Sequence, residues 1–331
     1  MKIGIVILNW NGRQLLEQFV PTMLANSKHV NVNIYIADNA STDDSVQYIK
    51  EHFPTVTIIQ NKVNGGFAKG YNDALKDLNE TVFCLVNSDI EVSKNWLTPI
   101  FETFESDKDI AIVQPKILDF KNKTYFEYAG AAGGFIDKFG YPYCRGRLFK
   151  TLEKDLNQYG NTEIFWASGA CFFIKSDVFF ELGGFDEDYF AHQEEIDLCW
   201  RAKNIGKKIV FVNDAVVYHV GGATLSNQNS KKTFLNFRNS LFSLVKNLPK
   251  NKLVPVIGSR LILDGFAGMK FLCEFKFKHF VAILQAHFSF YAQLNKMLKK
   301  RNKDSKLEHY FNVQSIVFSY FVQRKKYFKD L

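Results

Sequence analysis

Two segments of this sequence carry carboxylates in places where metal and acid–base chemistry can use them. The first is Asn87-Ser88-Asp89, delivered by the apolar run Val82-Phe83-Cys84-Leu85-Val86 and followed by Ile90-Glu91-Val92. A carboxylate at a strand end, beside a short polar residue, offers one hard oxygen ligand to a divalent ion that takes its other ligands from phosphates and water. Such an ion offsets the charge that grows on a departing diphosphate. The second segment runs from Gly183 to Arg201 and contains Asp186, Glu187, Asp188, Glu194, Glu195 and Asp197 ahead of apolar Ile196, Leu198 and Trp200. Acids also favour helix N-termini through the helix dipole, so plain capping competes with catalysis for each of them. His219, directly after the strand-like Ala215 to Tyr218 and before Gly221-Gly222, stands where an imidazole either ligates a metal or is structural.

Residues of these types act only if the chain brings them together. The first half alternates β-branched runs with helical patterns: Ile3 to Leu8 then Arg13 to Ala25, Val32 to Ala37 then Asp43 to Phe53, Val56 to Gln60 then Phe67 to Leu78, Thr81 to Val86 then Ser93 to Ser106. That alternation predicts βαβ units and a mostly parallel sheet. Ligands of such sheets sit beyond the carboxyl ends of the strands. The segments found there are Asn9-Trp10-Asn11-Gly12, Asp38 to Asp43, Asn61 to Gly66 and Asn87-Ser88-Asp89, all polar. Each alone reads as a turn or helix cap; four in register point to one rim. Residues 114 to 163 read as irregular, covering the site as loops or a small hairpin. A strand is expected at Phe165 to Ile174, helices at Ser176 to Leu182 and Glu194 to Asn204, and a strand at Lys208 to Val212. Helical patterns follow to the end, giving two regions, 1 to 230 and 231 to 331.

Charge is divided between them. The last 101 residues hold 20 Lys and Arg against 5 Asp and Glu, whereas the whole chain nets only +8. A basic tail rich in Phe suits an anionic surface. The clusters Lys299-Lys300-Arg301 and Arg324-Lys325-Lys326 come with no nucleic-acid motif, so nucleic acid is not an expected partner. Segments 234 to 245, 266 to 280 and 281 to 298 mix Phe, Leu and Ile with Lys as interfacial helices do, although the same stripe can pack on the catalytic region or a second subunit. The five cysteines are odd in number and widely spaced, which predicts buried reduced thiols and a cytoplasmic setting, and the basic, Phe-rich tail adds the inner face of the cell membrane as a place within it. No signal peptide and no charge-free window of spanning length are visible.

The ordered set ILNWNG, DNASTDDS, NGGFAKGYNDAL, NSD, SGACFFIKSDVFFELGGFDEDYF and EEIDLCWR resembles the inverting family 2 glycosyltransferases, especially rhamnosyltransferase-like bacterial members that build surface polysaccharides. The resemblance covers roughly residues 1 to 225. It implies an α/β chain of the GT-A type, a Rossmann-like and mostly parallel sheet flanked by helices, here with a C-terminal helical extension. It implies transfer of a sugar from a UDP- or dTDP-linked donor to a glycan or lipid-linked acceptor. Asn9, Trp10, Asp38, Asn64, Gly66, Asn72, Asn87 and Ser88 would border the donor. Asp89, helped by His219, would hold a divalent cation, Mg2+ or Mn2+. Glu195 takes the general base position with Glu194 as rival, and Trp166, Ser168 and Gly169 fall on the acceptor side.

This sequence departs from the family pattern twice. Asn87 stands where the metal motif commonly has Asp, which leaves Asp89 more of the burden. The base is Glu195 after Glu194, rather than the Asp of a Glu-Asp pair. Two further functions fit a nucleotide-binding sheet: a sugar-1-phosphate nucleotidyltransferase, whose Gly-rich, Arg-containing opening loop is missing here, and a non-catalytic module that binds sugar nucleotides or glycans.

Overall fold

The computed structural model describes residues 1–221, 229–301, 307 and 309–331; Gly222 lies outside them. In chain order the first elements are β1 (Ile3–Asn9), α1 (Arg13–Asn26), β2 (Val32–Asp38), α2 (Ser45–His52), β3 (Thr57–Gln60), α3 (Gly66–Leu75), β4 (Val82–Asn87), β5 (Ile90–Val92), α4 (Thr98–Ser106) and β6 (Ile110–Asp119). Short strands β7 (Gly134–Ile136), β8 (Pro142–Cys144), β9 (Arg147–Leu148), β10 (Thr151–Leu152) and β11 (Thr162–Glu163) follow. The main sheet resumes with β12 (Cys171–Lys175), α5 (Ser176–Glu181), α6 (Glu194–Asn204) and β13 (Lys208–His219). The chain ends with α7 (Ser230–Asn247), α8 (Lys250–Cys273), α9 (Phe277–Lys299) and α10 (Ile316–Phe321).

The nine-stranded main sheet has the order β11-β13-β6-β12-β4-β1-β2-β3, with β5 beside β13. β3, β2, β1 and β4 pair in parallel; β12 runs against β4 and β6; β13 runs with β6; β5 and β11 run against β13. Six strands therefore share one direction. Because strand side chains alternate faces, Phe83 and Leu85 enter one core layer while Val82, Cys84 and Val86 enter the other. Burial on both faces is why β4 reads as an unbroken apolar run.

The region from 114 to 163, expected to be irregular, instead holds most of β6 and an antiparallel four-stranded sheet of β7 to β10. β12 starts only at Cys171; residues 165 to 170 pass beneath the small sheet, tied by the bridge of Gly134 with Trp166. The small sheet also packs on the C-terminus through Tyr143, Leu148, Ile316 and Tyr320. Four of the five free cysteines are buried, but Cys273, at the end of α8, is exposed, contrary to the expectation of burial. Among the described residues no helix is long and apolar enough to cross a membrane.

α7 is not an ordinary surface helix. Every residue from Asn239 to Asn247 is buried, so its polar members must find partners inside the protein. They find them in the acid-rich segment.

Candidate active site

The loops after β1, β2 and β3 are held together by asparagines. Asn9 Nδ2 donates to Asp38 Oδ1 at 3.2 Å and to Ser45 Oγ at 3.0 Å, and Asp38 Oδ2 accepts the Ser41 N–H at 3.1 Å. Asn39 Nδ2 donates to Asn64 Oδ1 and to the Gly66 carbonyl, both at 3.0 Å, and Asn61 Nδ2 reaches Asn39 Oδ1 at 3.2 Å. Asp38, Asn9 and Asn39 are buried, whereas Trp10 projects from the same rim with about half its surface exposed, 51%. The side chain of Asn72 is turned elsewhere: it accepts from the Phe185 N–H and donates to the Phe185 carbonyl, both at 2.9 Å, and to Glu187 at 3.2 Å. It ties α3 to the acid-rich segment.

At the end of β4, Asn87 pairs with Leu8 of β1, and its N–H donates to the Ala170 carbonyl at 2.9 Å. Ser88 Oγ lies on the β1 loop, within 3.7 Å of where a Cβ on Gly12 would stand. Asp89 and His219 are both buried, because β5 pairs with β13 in a register that sets His219 opposite Ile90. His219 Nε2 stands 3.1 Å from Asp89 Oδ1, and Nδ1 stands 3.4 Å from Glu127 Oε2. Burial works against a charged imidazole, but the two carboxylates outweigh it and push the His219 pKa up to about 10. Glu127 escaped the sequence reading, since it lies in the stretch taken as irregular.

The second acidic segment divides its work. Asp186, Asp188 and Asp197 are structural: Lys246 Nζ sits between Asp186 Oδ2 at 2.7 Å and Asp197 Oδ2 at 2.8 Å. Lys296 of α9 and Lys300 just beyond it reach Asp188, while Arg201 Nε and Asn247 Nδ2 complete Asp197, each at 2.8 Å, so that its cations are Lys246 and Arg201. Despite its burial, these cations hold Asp197 well below the usual carboxylate range.

Glu194 and Glu195 have no such cations. Glu194 is buried and Glu195 partly so, and neither Oε2 atom has a hydrogen-bond partner. Burial pushes Glu195 up to about 7, with backbone N–H groups opposing the rise. Burial, and then the neighbouring charge of Glu195, push Glu194 well above its ordinary value. Two interacting carboxyl groups ionise in sequence, and this pair keeps a proton to higher pH than an ordinary glutamate does.

The backbone entering this pair is strained. Phe190, His192 and Gln193 have φ of 64°, 68° and 74°, a region that non-glycine residues occupy at a cost of about 1–3 kcal/mol each. The buried Asn239 of α7 offsets that cost, its Nδ2 reaching the carbonyls of Tyr189, Ala191 and His192 at 3.0, 3.0 and 2.8 Å. From the other side Phe67 N–H donates to the Phe190 carbonyl at 2.9 Å, and a Cβ on Gly66, whose φ is 77°, would fall 2.6 Å from that oxygen. The donor-side loop thus touches the carboxylate loop directly. We predict that Asn239→Ala destabilises the protein by about 1–3 kcal/mol and lowers kcat more than it raises KM, as read by thermal unfolding and steady-state kinetics.

The three acceptor-side residues occupy different situations. Gly169 borders the carboxylates: a Cβ there would lie 3.7 Å from Glu195 Cγ and 3.4 Å from the Phe67 ring. Ser168 is buried, its Oγ donating to the Ala129 carbonyl and its N–H to Gln114 Oε1. Trp166 is buried under Gly134, its indole N–H donating to the Phe135 carbonyl at 2.9 Å. Trp166 thus spends its polar group on the small sheet, and Ser168 spends its own on the Ala129 carbonyl and on Gln114 of β6. A separate cavity of about 430 Å³ is lined by Met1, Asn26, His29 and Phe101 at the amino ends of the strands, and contains none of these residues.

A parallel sheet with polar loops at its carboxyl ends, a buried Asp and His pair, and a partly buried carboxylate beside the rim has the makings of a nucleotide-sugar-dependent glycosyltransferase. Residues 4–183, over half the chain, match the model of glycosyl transferase family 2, and the chain belongs to that family. The N-acetylglucosaminyl-diphospho-decaprenol L-rhamnosyltransferase of Mycobacterium tuberculosis is 23% identical over 233 residues, or 66% of this chain and 75% of that protein. Among solved structures, S. aureus TarS 1-349 in complex with UDP-GlcNAc aligns with a TM-score of 0.59 at 13% identity, covering 91% of this chain and 84% of that one. GalNAc-T7 with UDP, GalNAc and Mn2+ aligns with a TM-score of 0.58 at 19% identity; 74% of this chain covers 47% of it, about half its length. At such identities these structures show the shared GT-A fold. Enzymes with this fold typically act with a divalent cation, and this protein is a glycosyltransferase.

Proposed function

We propose that the protein is an inverting transferase that moves a sugar from a UDP- or dTDP-linked donor to a hydroxyl of a glycan or lipid-linked acceptor in cell-surface polysaccharide synthesis. The observation that carries the reading is the contrast within one segment. Asp186, Asp188 and Asp197 are consumed by cations, while Glu195, against Gly169 and Phe67, keeps a carboxylate poised near neutral pH. The lipid-linked acceptor rests on the name of the mycobacterial relative.

In this reading Asp38 receives the nucleobase, and the exposed Trp10 offers an indole face against it. Asn9 holds Asp38; Asn64 and Gly66 shape the loop that borders the donor sugar. Asn87 and Ser88 border the diphosphate, and Asn72 acts by fixing the Phe185 backbone. Glu195 accepts the acceptor hydroxyl's proton as that oxygen bonds to the anomeric carbon. The bond from that carbon to the β-phosphate oxygen breaks, and the diphosphate leaves with the electron pair. A leaving group this stable needs no second catalytic acid, unlike an ordinary glycoside. Trp166 and Ser168 position Gly169, which lies where donor and acceptor meet.

Asp89 and His219 fit a divalent cation, Mg2+ or Mn2+. Their 3.1 Å separation is that of a hydrogen-bonded ion pair, so a cation held by both would displace the proton that Asp89 and Glu127 favour on His219. No group of three or more His, Cys, Asp or Glu suited to a metal occurs among the described residues, so phosphates and water would have to complete the shell. When bound, the cation supplies charge neutralisation for the departing diphosphate. The test is protection from thermal unfolding by UDP with Mn2+. It should be present in the native protein, abolished by chelator, and weakened about tenfold or more in apparent affinity by Asp89→Ala. Undiminished protection of Asp89→Ala would remove Asp89 from the metal site. Donor binding with neither transfer nor donor hydrolysis would favour the non-catalytic module.

A further inference from the structure

Helices that face water put charges outward and apolar side chains inward. α8 reverses this. Arg260 and Asp264 are buried and paired at 2.8 Å. Arg260 also donates to the Phe139 carbonyl at 3.1 Å and Ser240 Oγ at 2.8 Å, and Asp264 faces Tyr141 Oη at 2.9 Å and His287 Nε2 at 3.1 Å. The outward positions are apolar: Val254, Ile262, Phe266 and Met269 are 80%, 65%, 68% and 56% exposed. No exposed residue between Val254 and Met269 is charged.

α9 continues the pattern. Val281, Leu284, Phe288 and Tyr291, spaced three and four apart along one stripe, are all exposed. The turn that joins the helices ends in Phe275-Lys276-Phe277, with both phenylalanines exposed and their ring centroids 6.4 Å apart. Lys270 Nζ lies 5.7 Å from the Phe321 ring, which brings exposed Phe321 of α10 beside the same end of α8. So much exposed apolar surface on one hairpin marks a contact with something other than water.

Charge selects the occupant. The one exposed acid of the hairpin, Glu274, is held by Lys270 at 2.9 Å and Lys276 at 2.6 Å, and Lys278 stands exposed beside them. With 20 Lys and Arg against 5 Asp and Glu from residue 231 onward, a second copy of the chain would set like charge against like. An anionic lipid surface complements both features, taking phenylalanines at the acyl boundary and lysines among the headgroups. We propose that the α8 and α9 hairpin, led by Phe275 and Phe277, docks the enzyme on an anionic membrane leaflet without spanning it.

The full-length protein should float with phosphatidylcholine vesicles containing phosphatidylglycerol, and flotation should fall as salt is raised. Phe266→Glu with Phe288→Glu should lower the bound fraction about tenfold or more. Because both side chains are exposed, the unfolding midpoint and hydrolysis of a soluble sugar nucleotide should stay unchanged. A folded, active native protein that fails to float would overturn the proposal. So would equal flotation with pure phosphatidylcholine, or a dimer that the same double substitution dissociates while vesicles are ignored.

Discussion

Glu195→Gln should lower kcat by about 10²–10⁴-fold, the usual worth of a positioned acid or base, with the affinity for the nucleotide changed little. Glutamine keeps the size and loses the proton acceptor, so a loss confined to turnover assigns the base. Glu194→Gln should retain most activity, because burial and the charge of Glu195 raise Glu194 well above its ordinary value and the amide imitates the protonated form. The native kcat/KM should fall as pH drops through about 7, the value to which burial lifts Glu195, and in Glu194→Gln that limb should stay where it is, since a protonated Glu194 and the amide are both uncharged. A pH–rate profile on the two proteins decides the matter: retained activity in Glu195→Gln, with loss in Glu194→Gln, would exchange the roles.

The largest structural effect should come from Lys246→Met. Methionine matches the stem of lysine but leaves Asp186 and Asp197 facing one another without the cation between them. Breaking a buried ion pair from one side costs about 3–5 kcal/mol. The midpoint of thermal unfolding at neutral pH should fall accordingly, and turnover should fall with it, since Asp197 lies two residues from Glu195. The pH dependence has a definite sign. Asp197 is depressed in the folded state, so its stabilisation is present above the ordinary aspartate range and is lost as pH falls through and below it. The gap between native and Lys246→Met protein should thus narrow in acid. A gap that stays constant would show that lost packing, not lost charge, is responsible.

The sheet was legible because its strands are apolar on both faces and end in polar loops, and β1, β2 and β4 begin within a residue of their expected positions. β6 was not. Gln114, Pro115 and Lys116 break its apolar run, yet Gln114 and Lys116 are buried. Tertiary partners make that possible: Gln114 Oε1 accepts the Ser168 N–H, and Lys116 Nζ meets Asp155 Oδ2 at 2.9 Å. Asn39 and Asn61 were passed over as turn residues because their role depends on which loops the strand order places side by side. The sorting of the acid segment was equally hidden. Nothing near Asp186 or Asp197 in sequence announces Lys246, 60 and 49 residues on, and no glycine marks the left-handed backbone at Phe190, His192 and Gln193.

The interlock between α6 and α7 also bears on how this scaffold could be recombined. The region that matches the family model ends at residue 183, ahead of every acid sorted here, and Asn239, Lys246 and Asn247, on the same side of that boundary, hold the carboxylate loop and Asp197. A chimera that takes its nucleotide half from another family member therefore has a natural seam near Gly183 and Gly184, provided that everything from there through α7 travels as one piece. A seam between α6 and α7 would strand a buried aspartate in one parent and its lysine in the other.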